Sequence, residues 1–276
     1  MTPVWLAAAV LAMAVVVYLN RLATRVVSPV RQPIGRTVPE LGEPFEDLTI
    51  SSGPHSLAAW LVTPEQAKPF EPLVLLAHGW GANYSVVLRL GALLVQRGHE
   101  VLLFDTRGHG RNPALSHVTI RDFRDDLMAV ARYAAHRFPD RQLVLVGHSL
   151  GGAAGVLAAA DGAPFDGLVL IAAPSDVLRV TAEYLTDHGK PGTLLINVLR
   201  PFLWRLAGGT FLPLTPWRRI RELDVPLLLL QPEHDQRVAR RHADGLAAAT
   251  GQGYHLIPDR EHTDVLESPE TCRLVE

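Results

Sequence analysis

Five short apolar runs limit what this chain can fold into: LVLLA (73–77), VLLF (101–104), LVLVG (143–147), GLVLIA (167–172) and PLLLLQ (226–231), with YHLI (254–257) closing the series. None alternates polar with apolar side chains, so each is expected to be buried on both faces. Between most of them lie segments of helical spacing. Residues 85–97 put Val86, Leu90, Leu93 and Leu94 on one stripe, and residues 120–137 do the same with Phe123, Leu127, Val130 and Tyr133. Such alternation predicts an α/β fold with a mostly parallel sheet covered on both sides. Ahead of it, FEDLTIS and SLAAWLV, separated by Ser52-Gly53-Pro54-His55, predict an N-terminal antiparallel hairpin. About fifty residues separate Ala172 from Pro226, too many for a simple crossover, so a helical cap insertion is expected over about 176–222.

The first segment poses a membrane question. Met1 through Leu19 carries no charged side chain, which is just long enough to span a bilayer. Trp5 and Tyr18 lie near its ends, where aromatic rings favour the interface, and Arg21, Arg25 and Arg31 follow. Residues 1–20 therefore read as a transmembrane anchor with the remaining domain on the cytoplasmic side. A cleaved signal, which would make the domain secreted or periplasmic, and a helix docked on the domain are the other readings. Residues 21–44 hold four prolines between 28 and 44 and no period, so they read as a linker to a domain over 45–276.

The bulk numbers remove several classes of function. Net charge is −2 with no long basic run, so nucleic acid is not expected as a partner. One cysteine, Cys272, excludes an internal disulfide framework and a cysteine-rich metal site. Histidines and carboxylates are abundant, but no HExxH or paired-ligand spacing occurs, so no metal is expected.

The chemistry centres on LVLVGHSLGGAAG (143–155), where a strand-length run leads into Gly147-His148-Ser149-Leu150-Gly151. A sharp strand–turn–helix junction there lifts the serine hydroxyl clear of the sheet, and the Leu150 amide at the helix start faces any negative charge that develops. A serine that merely caps the helix is the plainer reading. A nucleophilic serine needs a base, a group orienting that base, and oxyanion donors. His78-Gly79-Trp80-Gly81, directly after the run at 73–77, offers the Trp80 amide as the second donor. His262 follows the last strand and is the expected base. Asp235, just beyond the run at 226–231, is the expected acid, in chain order Ser, Asp, His. Asp176 is a rival acid because it also follows a strand.

With HGWG at 78–81, DTRGHGRN at 105–112, GHSLGG at 147–152, Asp235 and His262, the sequence resembles the α/β-hydrolase superfamily over residues 45–276. The DTRGHG stretch looks like the lysophospholipase and monoacylglycerol-lipase-like branch. The resemblance implies the α/β-hydrolase fold, hydrolysis of an acyl bond through a covalent acyl-serine, no cofactor, and structural roles for Asp105 and Arg107. Where the family carries a glycine two residues before the acid, this chain has Glu233. Fourteen residues follow His262, room for a short closing helix.

The cap stretch from Leu194 to Trp204 is strongly apolar and is expected to be broken by Pro201. It either walls a lipophilic acyl pocket or packs on the core. The leading expectation is thus a membrane-anchored serine esterase or lipase acting on a small acyl ester. A peptidase, amidase or thioesterase would use the same triad, and a non-catalytic binding protein would keep only the fold. Oligomeric state is not legible.

Overall fold

Strands without polar alternation need cover on both faces, and the arrangement in a computed structural model supplies it. The structure describes residues 4–67, 71–209 and 212–276, the Leu212 side chain excepted. Residues 1–3 of the expected anchor and 210–211 of the expected cap lie outside these. The strands are β1 (Phe45–Ser52), β2 (His55–Val62), β3 (Leu73–Ala77), β4 (Val101–Phe104), β5 (Leu143–His148), β6 (Gly167–Ile171), β7 (Leu227–Pro232) and β8 (His255–Ile257). They form one sheet in the order β1-β2-β4-β3-β5-β6-β7-β8. The β1–β2 hairpin and the β2–β4 pair are antiparallel, and the rest are parallel. The sheet thus has the predicted mixed character.

The helices are α1 (Val4–Val26), α2 (Tyr84–Gln96), α3 (Ile120–Arg137), α4 (Leu150–Ala160), α5 (Val177–Asp187), α6 (Gly192–Leu206), α7 (Pro216–Arg219), α8 (Arg241–Thr250) and α9 (Pro269–Val275). The period of two explains the absence of alternation in β3. Leu73, Leu75 and Ala77 face a cluster with α3 and α4, while Val74 and Leu76 face one with α2. Local signals agree with these bounds. Asn83 caps α2 through a bond from the Ser85 amide (3.0 Å), and Thr119 with Asp122 forms a capping box on α3.

Two elements differ from the sequence reading. Helix α6 runs through Pro201 without ending there. The proline removes one internal hydrogen bond, but Ile196, Leu199 and Leu203 remain buried on one stripe against Ala23 and Ala182, and that packing carries the helix across. The segment read as a linker begins inside α1 and continues as a strap tied to the domain. Val27 carbonyl accepts from the Val118 amide (2.8 Å), and Gln32 N–H donates to Gly81 carbonyl (2.8 Å). Arg31 donates to Gly110 and Asn112 carbonyls, Asn83 Nδ2 to Gln32 carbonyl (3.1 Å), and Gly35 N–H to Ser85 Oγ (2.9 Å). Prolines supply the extended backbone, and side chains satisfy the polar groups a ladder would otherwise take.

The loop of residues 105–112 is held from within. Asp105, fully buried, accepts from the Tyr84 and Arg111 amides (2.8 Å each). Arg107 grips Asp126 through Nε and Nη2 and reaches Ser52 on the hairpin. These are the structural roles implied by the resemblance. Two buried histidines extend the clamp. His78 donates from Nδ1 to Gly79 carbonyl (2.8 Å) and accepts the Thr106 amide at Nε2 (3.1 Å). His109 donates from Nδ1 to Arg107 carbonyl (2.9 Å) and accepts the Gly81 amide at Nε2 (3.1 Å). Each uses one nitrogen as donor and the other as acceptor, so each is a neutral imidazole of fixed tautomer.

Burial lowers His78 to about 4 and His109 to about 3. Unfolded imidazoles take a proton near pH 6.5, so between about pH 6.5 and those values the unfolded chain binds more protons. Stability from these clamps is therefore complete above about pH 6.5 and declines as pH falls. Urea unfolding from pH 8 to pH 5 should give a falling midpoint, and His109→Gln should shallow that slope; a midpoint indifferent to pH would contradict the neutral-imidazole assignment.

Candidate active site

The carboxyl edge of the parallel strands gathers the groups that the sequence reading singled out, as open α/β sheets do. Ser149 follows β5 with φ 53° and ψ −122°, a backbone conformation that L-residues seldom adopt. The turn is so tight that a Cβ on Gly147 would lie 2.5 Å from Gly152 Cα, and one on Gly79 would lie 2.9 Å from Ser149 Cβ. Ser149 N–H donates to Ile171 carbonyl (2.8 Å), which fixes the turn to β6. The Ser149 side chain makes no capping bond to α4, so its hydroxyl is not engaged as a helix cap.

Asp235 and His262 meet across the loops after β7 and β8. His262 Nδ1 lies 2.8 Å from Asp235 Oδ2, and the Asp235 side chain is only 1% exposed. Asp235 Oδ1 accepts the Arg237 and Val238 amides (2.9 and 2.8 Å). These contacts fix the carboxylate where Oδ2 accepts from His262 Nδ1, which leaves Nε2 outside that bond. Asp176 does not touch His262; it caps α5 by accepting the Arg179 amide (3.1 Å). His234 points away, 3.8 Å from the exposed Asp259, and Glu233 accepts the Asp259 amide (3.2 Å). Glu233, His234 and Asp259 bring ligand atoms within 4.8 Å of one another, but all three are exposed, as such groups commonly are with no ion.

Ser149, His262, Trp80 and Leu150 line one cavity of about 1420 Å³. Ser149 and His262 are not hydrogen-bonded to each other in this structure; such contacts often tighten only when substrate is present. Neither the Trp80 nor the Leu150 amide has an acceptor among the described residues. Apolar cap residues Leu178, Leu195 and Leu203 complete much of the wall.

Three contributors were not among the expected site residues. His148, next to the serine, donates from Nε2 to His262 carbonyl (2.7 Å), with the rings 4.7 Å apart. Burial lowers it to about 3, and its Nδ1 has no partner, so it is a neutral backbone clamp. The second is α1, whose last turns join the cavity wall through Leu22, Arg25 and Val26. The third is a tie between cap and core: Ser175 Oγ lies 2.9 Å from His242 Nδ1, and His242 Nε2 lies 2.9 Å from Glu183 on α5. Ser175 is 5% exposed and outside the cavity, so this second serine–histidine–carboxylate group is a latch. Nothing in residue spacing marks any of the three, because each depends on long-range packing.

A family model described as serine aminopeptidase, S33 (Hydrolase_4), matches residues 68–191. Among solved structures, the chain is similar to the esterase Pf2001 of Pyrococcus furiosus, with TM-score 0.70 at 19% identity over 90% of this chain and 95% of that one. It is also similar to a proline iminopeptidase of Mycobacterium smegmatis, with TM-score 0.61 at 18% identity over 83% and 96%. An uncharacterized protein of Escherichia coli K12, YfhR, is 25% identical over 202 residues, 69% of this chain. The chain spans 63% of the length of the curated relatives it matches. Fold and partial family match agree with the resemblance drawn from the motifs: the chain has the α/β-hydrolase fold, and over residues 68–191 it is similar to the serine aminopeptidase S33 family.

Proposed function

We propose that the chain is a serine hydrolase of carboxylic esters, held at a membrane by α1. The observation that carries this reading is the buried Asp235–His262 hydrogen bond (2.8 Å) on the cavity that Ser149 also lines. Ser149 Oγ attacks the ester carbonyl carbon while His262 Nε2 takes its proton, and Asp235 stabilises the imidazolium through Nδ1–H. The carbonyl oxygen becomes an oxyanion that accepts from the Trp80 and Leu150 amides. Collapse breaks the ester bond, and the alcohol leaves with the proton from Nε2. Water, deprotonated by the same nitrogen, then releases the acid and restores the serine.

The apolar wall favours an aliphatic acyl chain over a charged one, since each buried methylene contributes about 0.8 kcal/mol. An aminopeptidase or amidase is the second reading, favoured by the description of the matching family and by the iminopeptidase neighbour. It would use the same Ser149, His262 and Asp235. Arg21, Arg25 and Arg31 after the apolar run favour a cytoplasmic catalytic domain.

Ser149→Ala is expected to abolish labelling by a serine-reactive phosphonate and to lower nitrophenyl ester turnover by about 10⁵-fold or more; labelling that persists removes Ser149 from the reaction. Asp235→Asn should lower kcat by about 10³–10⁴-fold, whereas Asp176→Asn should change it by only a few-fold, and the reverse ranking would transfer the acid role. Across nitrophenyl esters from acetyl to decanoyl, kcat/KM should rise with chain length and exceed that for aminoacyl anilides. A flat ester profile, or anilides preferred, would favour the second reading.

A further inference from the structure

The wall of the cavity and the end of the apolar helix are the same residues. Every described residue of α1 through Tyr18 is exposed, and the helix is long and apolar enough to cross a membrane. Leu19 is where it begins to pack on the cap, in a cluster with Ala23, Ile196, Leu199 and Leu203. Uncharged sequence ends at Asn20, so the hydrocarbon boundary falls beside the first residue that touches the cap. Leu22 then stands about 5 Å along the helix from that boundary and Val26 about 10 Å, at 1.5 Å per residue. The headgroup layer is about 5–8 Å deep, so Leu22 lies within it and Val26 at its outer surface. Arg205 at the end of α6 donates to Asn20 Oδ1 (2.7 Å), and Trp204 beside it is 48% exposed, the setting in which an indole serves as an interfacial anchor.

We propose that the cavity opens at the bilayer surface and that Leu22 and Val26 of α1 form the wall along which a bilayer-resident amphiphile brings its ester bond to Ser149. This rests on the serine-esterase reading and on α1 as an anchor, and it names the substrate class: an ester at the polar–apolar boundary, with its acyl chain still partly in lipid. The strap reinforces the coupling. Four residues past the end of α1 it passes Gly81, whose Cβ position would lie 2.7 Å from Val30 carbonyl. The Gln32 N–H to Gly81 carbonyl bond (2.8 Å) ties the strap that continues α1 to the loop carrying the Trp80 amide.

The full chain reconstituted in vesicles of ether-linked phosphatidylcholine, which offers no ester, provides the test. Monooleoylglycerol in the vesicle is the probe, and dissolved nitrophenyl acetate is the reference. At constant bulk concentration, the rate on monooleoylglycerol should fall in proportion as its mole fraction in the vesicle is diluted. Val26→Trp should lower kcat/KM for the vesicle-borne ester at least tenfold more than that for nitrophenyl acetate. Indifference to surface dilution, or equal losses on both esters, overturns the proposal even with the variant correctly folded, because the dilution series uses the unaltered chain. A chain that fails to float with the vesicles also overturns it. Turnover of nitrophenyl acetate with none of monooleoylglycerol sinks the membrane-entry inference and leaves the esterase reading standing; turnover of neither sinks both.

Discussion

Close approach of two backbone segments at the end of the central strand governs this molecule. The first turn of α4 is pressed against the ends of β3 and β5, with room for no side-chain carbon at Gly147 or Gly151. The crossing forces Ser149 into a positive φ and aims its hydroxyl out of the sheet. The strain is held by bonds that would survive loss of the serine side chain, notably Ser149 N–H to Ile171 carbonyl. Backbone fit, not serine chemistry, therefore builds the elbow.

Around it, neutral histidines do work usually assigned to backbone ladders. His78 and His109 pin the loop that ends in Gly81, and His148 pins the carbonyl of His262. A buried imidazole suits this task because it donates at one nitrogen and accepts at the other with no net charge to desolvate. The arrangement ties residues from four strand ends into one rigid rim. The latch from Ser175 through His242 to Glu183 joins the cap to that rim by the same chemistry.

The sheet was legible in the sequence because its strands are buried on both sides, so their composition shows without a long pattern. The pairing of Asp235 with His262 was legible because both follow strands, and strand ends converge at one edge of such a sheet. The strap was not, since its prolines erase periodicity and its partners lie about 50 or more positions away, as with Asn83 and Pro33. The persistence of α6 through Pro201 was hidden as well: local propensity argues for a break, and only the buried stripe against α1 overrides it. The role of His148 was obscured by its neighbour, because adjacency to a serine says nothing about a carbonyl 114 positions along the chain.

The docking of α1 on α6 also bears on how the protein can be handled. Removing an apolar leader to gain solubility assumes that the leader and the domain are separable, and here the leader's final two turns are domain. A cut before Asn20 would leave a short helical stub still covering Ile196 and Leu199, whereas a cut after Val26 would uncover that apolar stripe to water and widen the chamber beside it. Two preparations differing by a few residues at the start would then differ in aggregation and in apparent selectivity, with no change in any residue of the sheet.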